Sequence, residues 1–191
     1  MNKVKNQVNL DKTLAFTKSS FAYKDPYMVD GSLVYKVRNA VQSFIASRQI
    51  ENEFVDFKTY NLERQFKDIH TSVYKAFAKN DKVNLQRSLS EPMFQYAVSL
   101  RTDKHRNPFL KEVTSFKTLQ SRVYSENDHL LPEEQWAQIT VCLTGRTIKD
   151  VPATHYTVFE RRVADKLDYF DWKISLMANE ADFKMINDVK I

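Results

Sequence analysis

The sequence predicts an α+β domain, helices first and an antiparallel sheet last, on three observations. Between Ser32 and Val98 apolar side chains recur at helical spacing. From Trp136 onward they alternate with polar ones at period two, the mark of strands. A polar, basic loop, Thr102 to Pro108, divides the two regimes. Helices and strands segregated along the chain make an α+β domain rather than an alternating α/β one.

The opening residues 1–30 lack sustained periodicity and read as an extended basic arm, ordered by a partner. Asp30-Gly31 suits a turn, since glycine takes positive φ at no steric cost, and Ser32 can cap the helix that begins beside it. Residues 31–57 hold an amphipathic helix and a connection. Its stripe is Leu33, Val37, Val41, Phe44 and Ile45, with basic residues on the polar flank. The ordinary reading packs this stripe on its own domain; the other makes it a helix for a membrane surface or a partner.

A second helix is expected from Asn61 to Lys79 on the stripe Leu62, Phe66, Ile69, Val73 and Phe77. Asn80-Asp81 breaks it, and Asp81 can cap a short helix carrying Val83, Leu85 and Leu89. Ser90-Glu91-Pro92 starts another, with Phe94, Ala97 and Val98 facing inward. Phe116 to Ser125 reads as a strand, although Phe116, Leu119 and Val123 also suit a helix. Trp136 to Thr144 is a strand with Ala137, Ile139, Val141 and Leu143 on one side. Ala153–Asp165 and Tyr169–Met177 form an antiparallel pair. In the latter, Phe170, Trp172, Ile174 and Leu176 point one way and Asp171, Lys173 and Ser175 the other, giving one buried and one wet face. Residues 58–178 thus make the α+β domain, and 179–191 a polar tail with a short helix at most.

Composition narrows function mainly by exclusion. The 191 residues suffice for one self-supporting core, and 42% hydrophobic with 13% aromatic content supplies it. No run approaches the roughly 18 apolar residues of a membrane-spanning helix. A single cysteine, Cys142, leaves no intramolecular disulfide framework, and two glycines leave no glycine-rich phosphate loop. The four histidines, His70, His105, His129 and His155, show no i, i+3 or i+4 pair, so helical metal-ligand spacing is missing. His155 reads as a plain strand residue. Asp168, Asp171, Glu133 and Glu134 stand at strand ends and polar faces, where carboxylates are solvated rather than tuned for proton transfer. Neither an enzyme nor a bound cofactor or metal is expected.

Formal charge is +5. The candidate contacts for RNA or anionic lipid are Lys3, Lys5, Lys12 and Lys18 of the arm, Arg101, Lys104 and Arg106 of the loop, and Arg161 and Arg162 on a strand, at least one facing outward. The candidate membrane or partner helix is Leu33, Val37, Val41, Phe44 and Ile45.

The strands add a resemblance. Ala137-Gln138-Ile139-Thr140-Val141, then Tyr156 with Val158-Phe159-Glu160, then Trp172 stand as in the Tim forty-four-like domain family, closest to its branch of mitochondrial ribosomal protein L forty-five. Ser90, Glu91 and Phe94 match the family's helix cap, so the likeness runs from Asn61 to Met177. It implies a cone-like fold of the nuclear-transport-factor-two type, helices packed on a curved antiparallel sheet. It also implies a mitochondrial scaffold on the matrix side of the inner membrane. The function expected is a structural component of the mitochondrial large ribosomal subunit near the tunnel exit, partnered by rRNA and ribosomal proteins and linked to the inner membrane. The alternative is an inner-membrane scaffold: an import-motor component or an accessory subunit of a respiratory-chain or ATP synthase complex.

Overall fold

A computed structural model describes residues 25–53, 59–100, 107–125, 135–163 and 172–188. It is a mixed α+β structure: a four-stranded antiparallel sheet in the order β1-β2-β3-β4, with helices packed on it. The elements are α1 (Leu33–Glu53), a 3₁₀ turn (Thr59–Asn61), α2 (Leu62–Lys79), α3 (Lys82–Ser88), α4 (Glu91–Ser99), β1 (Glu112–Ser125), β2 (Gln135–Arg146), β3 (Pro152–Val163), β4 (Lys173–Asn179) and α5 (Glu180–Asp188).

Local chemistry accounts for the helix ends. The Tyr35 amide donates to Ser32 Oγ at 3.2 Å, the cap that starts α1. Asn80 ends α2 in the left-handed conformation, φ 62°, and the Asp81 carboxylate accepts from the Asn84 amide to start α3. Gly31 does not have the expected positive φ. It is required instead because a Cβ there would collide with the Tyr35 ring.

The main core lies between α2–α4 and one face of the sheet. Phe66 is its centre, stacked on Phe159 at 4.0 Å between ring centroids and edge-on to Trp172 at 5.3 Å. Leu62, Val73 and Phe77 of the expected α2 stripe are buried with it, and Ile69 packs alongside. Leu85 and Leu89 turn inward from α3 and its C-cap, while Val83 is exposed. On α4 it is Met93 and Ala97 that are fully buried, with Phe94 and Val98 half-buried. Ala137, Ile139, Val141 and Leu143 of β2 all enter this core.

The opposite face is covered too. Phe183 of α5 stacks on Tyr156 at 4.9 Å, with Val158, Leu176 and Ala178 around it and Tyr27 and Val29 against its rim. The short helix expected in the tail is present at Glu180–Asp188, but with Phe183 docked it is part of the domain, as is the end of the arm, 25–31. Where α5 docks, on β3 and β4, the face expected to be wet is therefore buried.

β4 also departs from strict alternation. Its register against β3 shifts between Val158 and Phe159, with Ser175 as the extra residue. Ile174 stays with Trp172 and Met177 in the main core, whereas Leu176 joins the opposite cluster. A bulge flips side-chain direction, so Leu176 does not share a face with Ile174.

Candidate functional site

The two edge strands meet different neighbours. At β4 the Ile174 carbonyl accepts from the Ser90 amide at 2.9 Å. At β1, two register shifts, between Val113 and Ser115 and between Thr118 and Gln120, interrupt the ladder, and α1 lies along the strand. Such a helix meets backbone N–H and C=O groups, which need polar partners. The residues of α1 that turn inward supply them. Asn39 Nδ2 donates to the Leu119 carbonyl at 2.9 Å, and the Ser121 amide donates to Ser43 Oγ at 3.2 Å. Ser47 and Ser121 hydroxyls meet at 3.1 Å.

Arg122 is the hub of this contact. Its Nε donates to Asp25 Oδ2 at 2.5 Å. Nη1 donates to Ser43 Oγ (3.2 Å) and the Ser121 carbonyl (2.8 Å). Nη2 donates to Asn39 Oδ1 (2.9 Å) and Gln42 Oε1 (3.2 Å). All five N–H donors of a guanidinium are thereby engaged, which is what permits burial of the charge. One side chain ties together the arm's end, α1 and β1. Sequence reasoning missed Arg122; the available signal was Asn39, Ser43 and Ser47 in steps of four, a polar stripe opposite the apolar one.

The consequence is an inverted helix. Of α1, only Asn39, Ala46 and Ile50 are buried. Leu33 is 78% exposed, Val37 58%, Val41 55%, Phe44 63% and Ile45 60%. The ordinary expectation, that this stripe packs on its own domain, is overturned: the inward position is filled by groups that can bond a strand edge. Beside the stripe a groove of about 470 Å³ runs between α1 and β1, with Ser43, Phe44, Arg48 and Thr118 in its wall.

Most of the basic candidates lie beyond what the structure describes. Lys3, Lys5, Lys12, Lys18, Arg101, Lys104 and Arg106 lie outside the described residues, as do His105, His129, Asp168, Asp171, Glu133 and Glu134. Arg162 is on β3 with its side chain outside the described set. Arg161 is a correction. It pairs with Ala137 on the main-core face and is 5% exposed, so strand parity withdraws it from any phosphate outside. A second groove, about 570 Å³ between α2 and α3, has Lys75, Lys79 and Arg87 at its rim and Trp172 on its floor.

Titratable groups in the interior are shifted by burial. His70 is fully buried, has no hydrogen-bond partner at either ring nitrogen, and titrates near 3, lowered by desolvation and then by His155. His155 is lowered to about 4 by burial. Both are neutral at pH 7. Burial also pushes the Cys142 thiol above its ordinary value, which makes it a weak nucleophile. Among the described residues no three His, Cys, Asp or Glu side chains converge to hold a metal, and no helix is long and apolar enough to cross a membrane.

The chain matches no protein-family model and no curated protein.

Proposed function

We propose that this chain is a non-enzymatic docking subunit, a structural component of the mitochondrial large ribosomal subunit held near the tunnel exit on the matrix side of the inner membrane. The observation that carries the docking role is the inverted α1. A helix that spends its polar side on a strand edge and leaves five large apolar residues in water has a surface made for another molecule. The outward stripe is hydrocarbon, suited to contact rather than to proton transfer or nucleophilic attack.

The ribosomal assignment rests on the resemblance of the β2 and β3 motifs, the Trp172 segment and the Ser90-Glu91-Phe94 cap. The arrangement of α2–α4 against a four-stranded antiparallel sheet is compatible with the cone-like fold of the nuclear-transport-factor-two type that this resemblance implies. In this reading the basic arm and the Arg101–Arg106 loop contact rRNA, and α1 meets a neighbouring protein or the bilayer.

Co-sedimentation tests it. The chain should travel with mitochondrial large ribosomal subunits through a sucrose gradient at moderate salt. Recovery in a detergent-solubilised membrane complex free of ribosomes would overturn the ribosomal assignment and support the import-motor or respiratory-chain alternative.

A further inference from the structure

Polar side chains from α2 and β3 meet in the main core without pairing. His70 and Thr157 are fully buried and His155 is half-buried. Both ring nitrogens of His70, Nδ1 of His155 and the Thr157 hydroxyl are shut off from solvent with no hydrogen-bond partner. They share one face of the sheet. On β3, His155 stands opposite Leu143 and Thr157 opposite Val141, and both of those belong to the main core. His70 reaches the same core from α2, one turn from Phe66 and edge-on to Phe109 at 6.1 Å between ring centroids. The two imidazoles lie close enough for His155 to act on the charge of His70, yet neither bonds the other. Polar groups held near one another but beyond bonding distance are what a bridging molecule completes.

We propose that His70, His155 and Thr157 share a bound internal water at the joint between α2 and β3. The donor and acceptor inventory selects this occupant. Each imidazole is neutral at pH 7 and presents one donor and one acceptor, and the hydroxyl offers both. Water answers both kinds and makes about three hydrogen bonds when buried, which matches the three side chains present. Without it each of these groups carries the cost of an unmade bond in the interior. Other occupants fit less well. No third His, Cys, Asp or Glu converges among the described residues, so a metal dication would sit in the core on two neutral rings. An organic ligand needs an open pocket, and these residues line neither groove. Exchange with solvent runs past His155, the one of the three with exposed surface. The bridge gives α2 a polar tie to β3 beside the stacking of Phe66 on Phe159, and it is independent of the docking role of α1.

Oxygen-17 relaxation dispersion of the full chain at pH 7 tests it, because the amplitude counts waters held far longer than those at the surface and ignores proton exchange. A chain of this size holds several such waters, so the difference between variants is what is read. Thr157→Val replaces the hydroxyl by a methyl group of the same size and should lower the amplitude by about one water per chain. His70→Leu should lower it by as much. Thr157→Ser keeps the hydroxyl and should leave the amplitude at the wild-type value. Circular dichroism shows which variants are folded, and if His70→Leu is not, the two Thr157 variants decide alone. An undiminished amplitude in folded Thr157→Val or His70→Leu would overturn the site. So would an equal loss in Thr157→Ser, which would trace the effect to repacking rather than to the hydroxyl.

Discussion

Arg122 shows how one residue decides the orientation of a whole helix. Its five donors meet acceptors from the arm's end, α1 and β1, so removing it strands the Asn39 and Gln42 side-chain oxygens, while Ser43 keeps the Ser121 amide. Unpaired buried acceptors cost about 1–3 kcal/mol each, less where water returns, as at the half-exposed Asp25. Arg122→Leu should lower stability by about 2–3 kcal/mol in urea unfolding and speed hydrogen exchange along α1. Arg122→Lys, with three donors and no fork, should recover only part. Wild-type stability in Arg122→Leu would mean that this network does not hold α1. His70 gives the second residue-scale expectation. The unfolded chain protonates its histidines near pH 6.5, whereas folded His70 stays neutral down to about 3. Stability is therefore full above pH 6.5 and falls with pH below it, by about 1.4 kcal/mol per unit for His70 and less for the half-buried His155. His70→Leu should flatten the dependence of the urea midpoint between pH 7 and 5. An unchanged slope would remove His70 as its source.

At the scale of elements, periodicity located helices and strands but not their faces. The α2 stripe and the β2 alternation were legible because both meet a flat apolar partner, where the pattern and the burial coincide. On α1 they are opposed. The apolar stripe is the stronger pattern, yet a strand edge selects Asn39, Ser43 and Ser47, and nothing in the sequence states that α1 lies on an edge. β4 fails differently: one bulge residue, Ser175, reverses the face of every later residue in the strand, and a period-two reading cannot see it. Arg161 was misplaced by the same kind of assumption. Either it or Arg162 had to face outward, and pairing with Ala137 decided against Arg161.

Taken together, the described residues form a sheet with a core on each face, α1 laid on one edge and the α3–α4 junction touching the other. Its core needs little from α1: Ile50 is the helix's one residue in the main cluster. Among the described residues the outer stripe is therefore spare to the packing, which is the central claim. Paired substitutions measure it most directly. Val41→Ser with Phe44→Ser, on the outer side, should leave the urea midpoint of the isolated chain within the roughly ±0.5 kcal/mol expected of surface changes. Asn39→Ala with Ser43→Val, on the inner side, should lower stability by about 1–3 kcal/mol, because the edge of β1 and Arg122 lose their partners. The opposite pattern, a large loss from the outer pair and none from the inner, would show that α1 packs by its apolar stripe and would contradict the inverted helix.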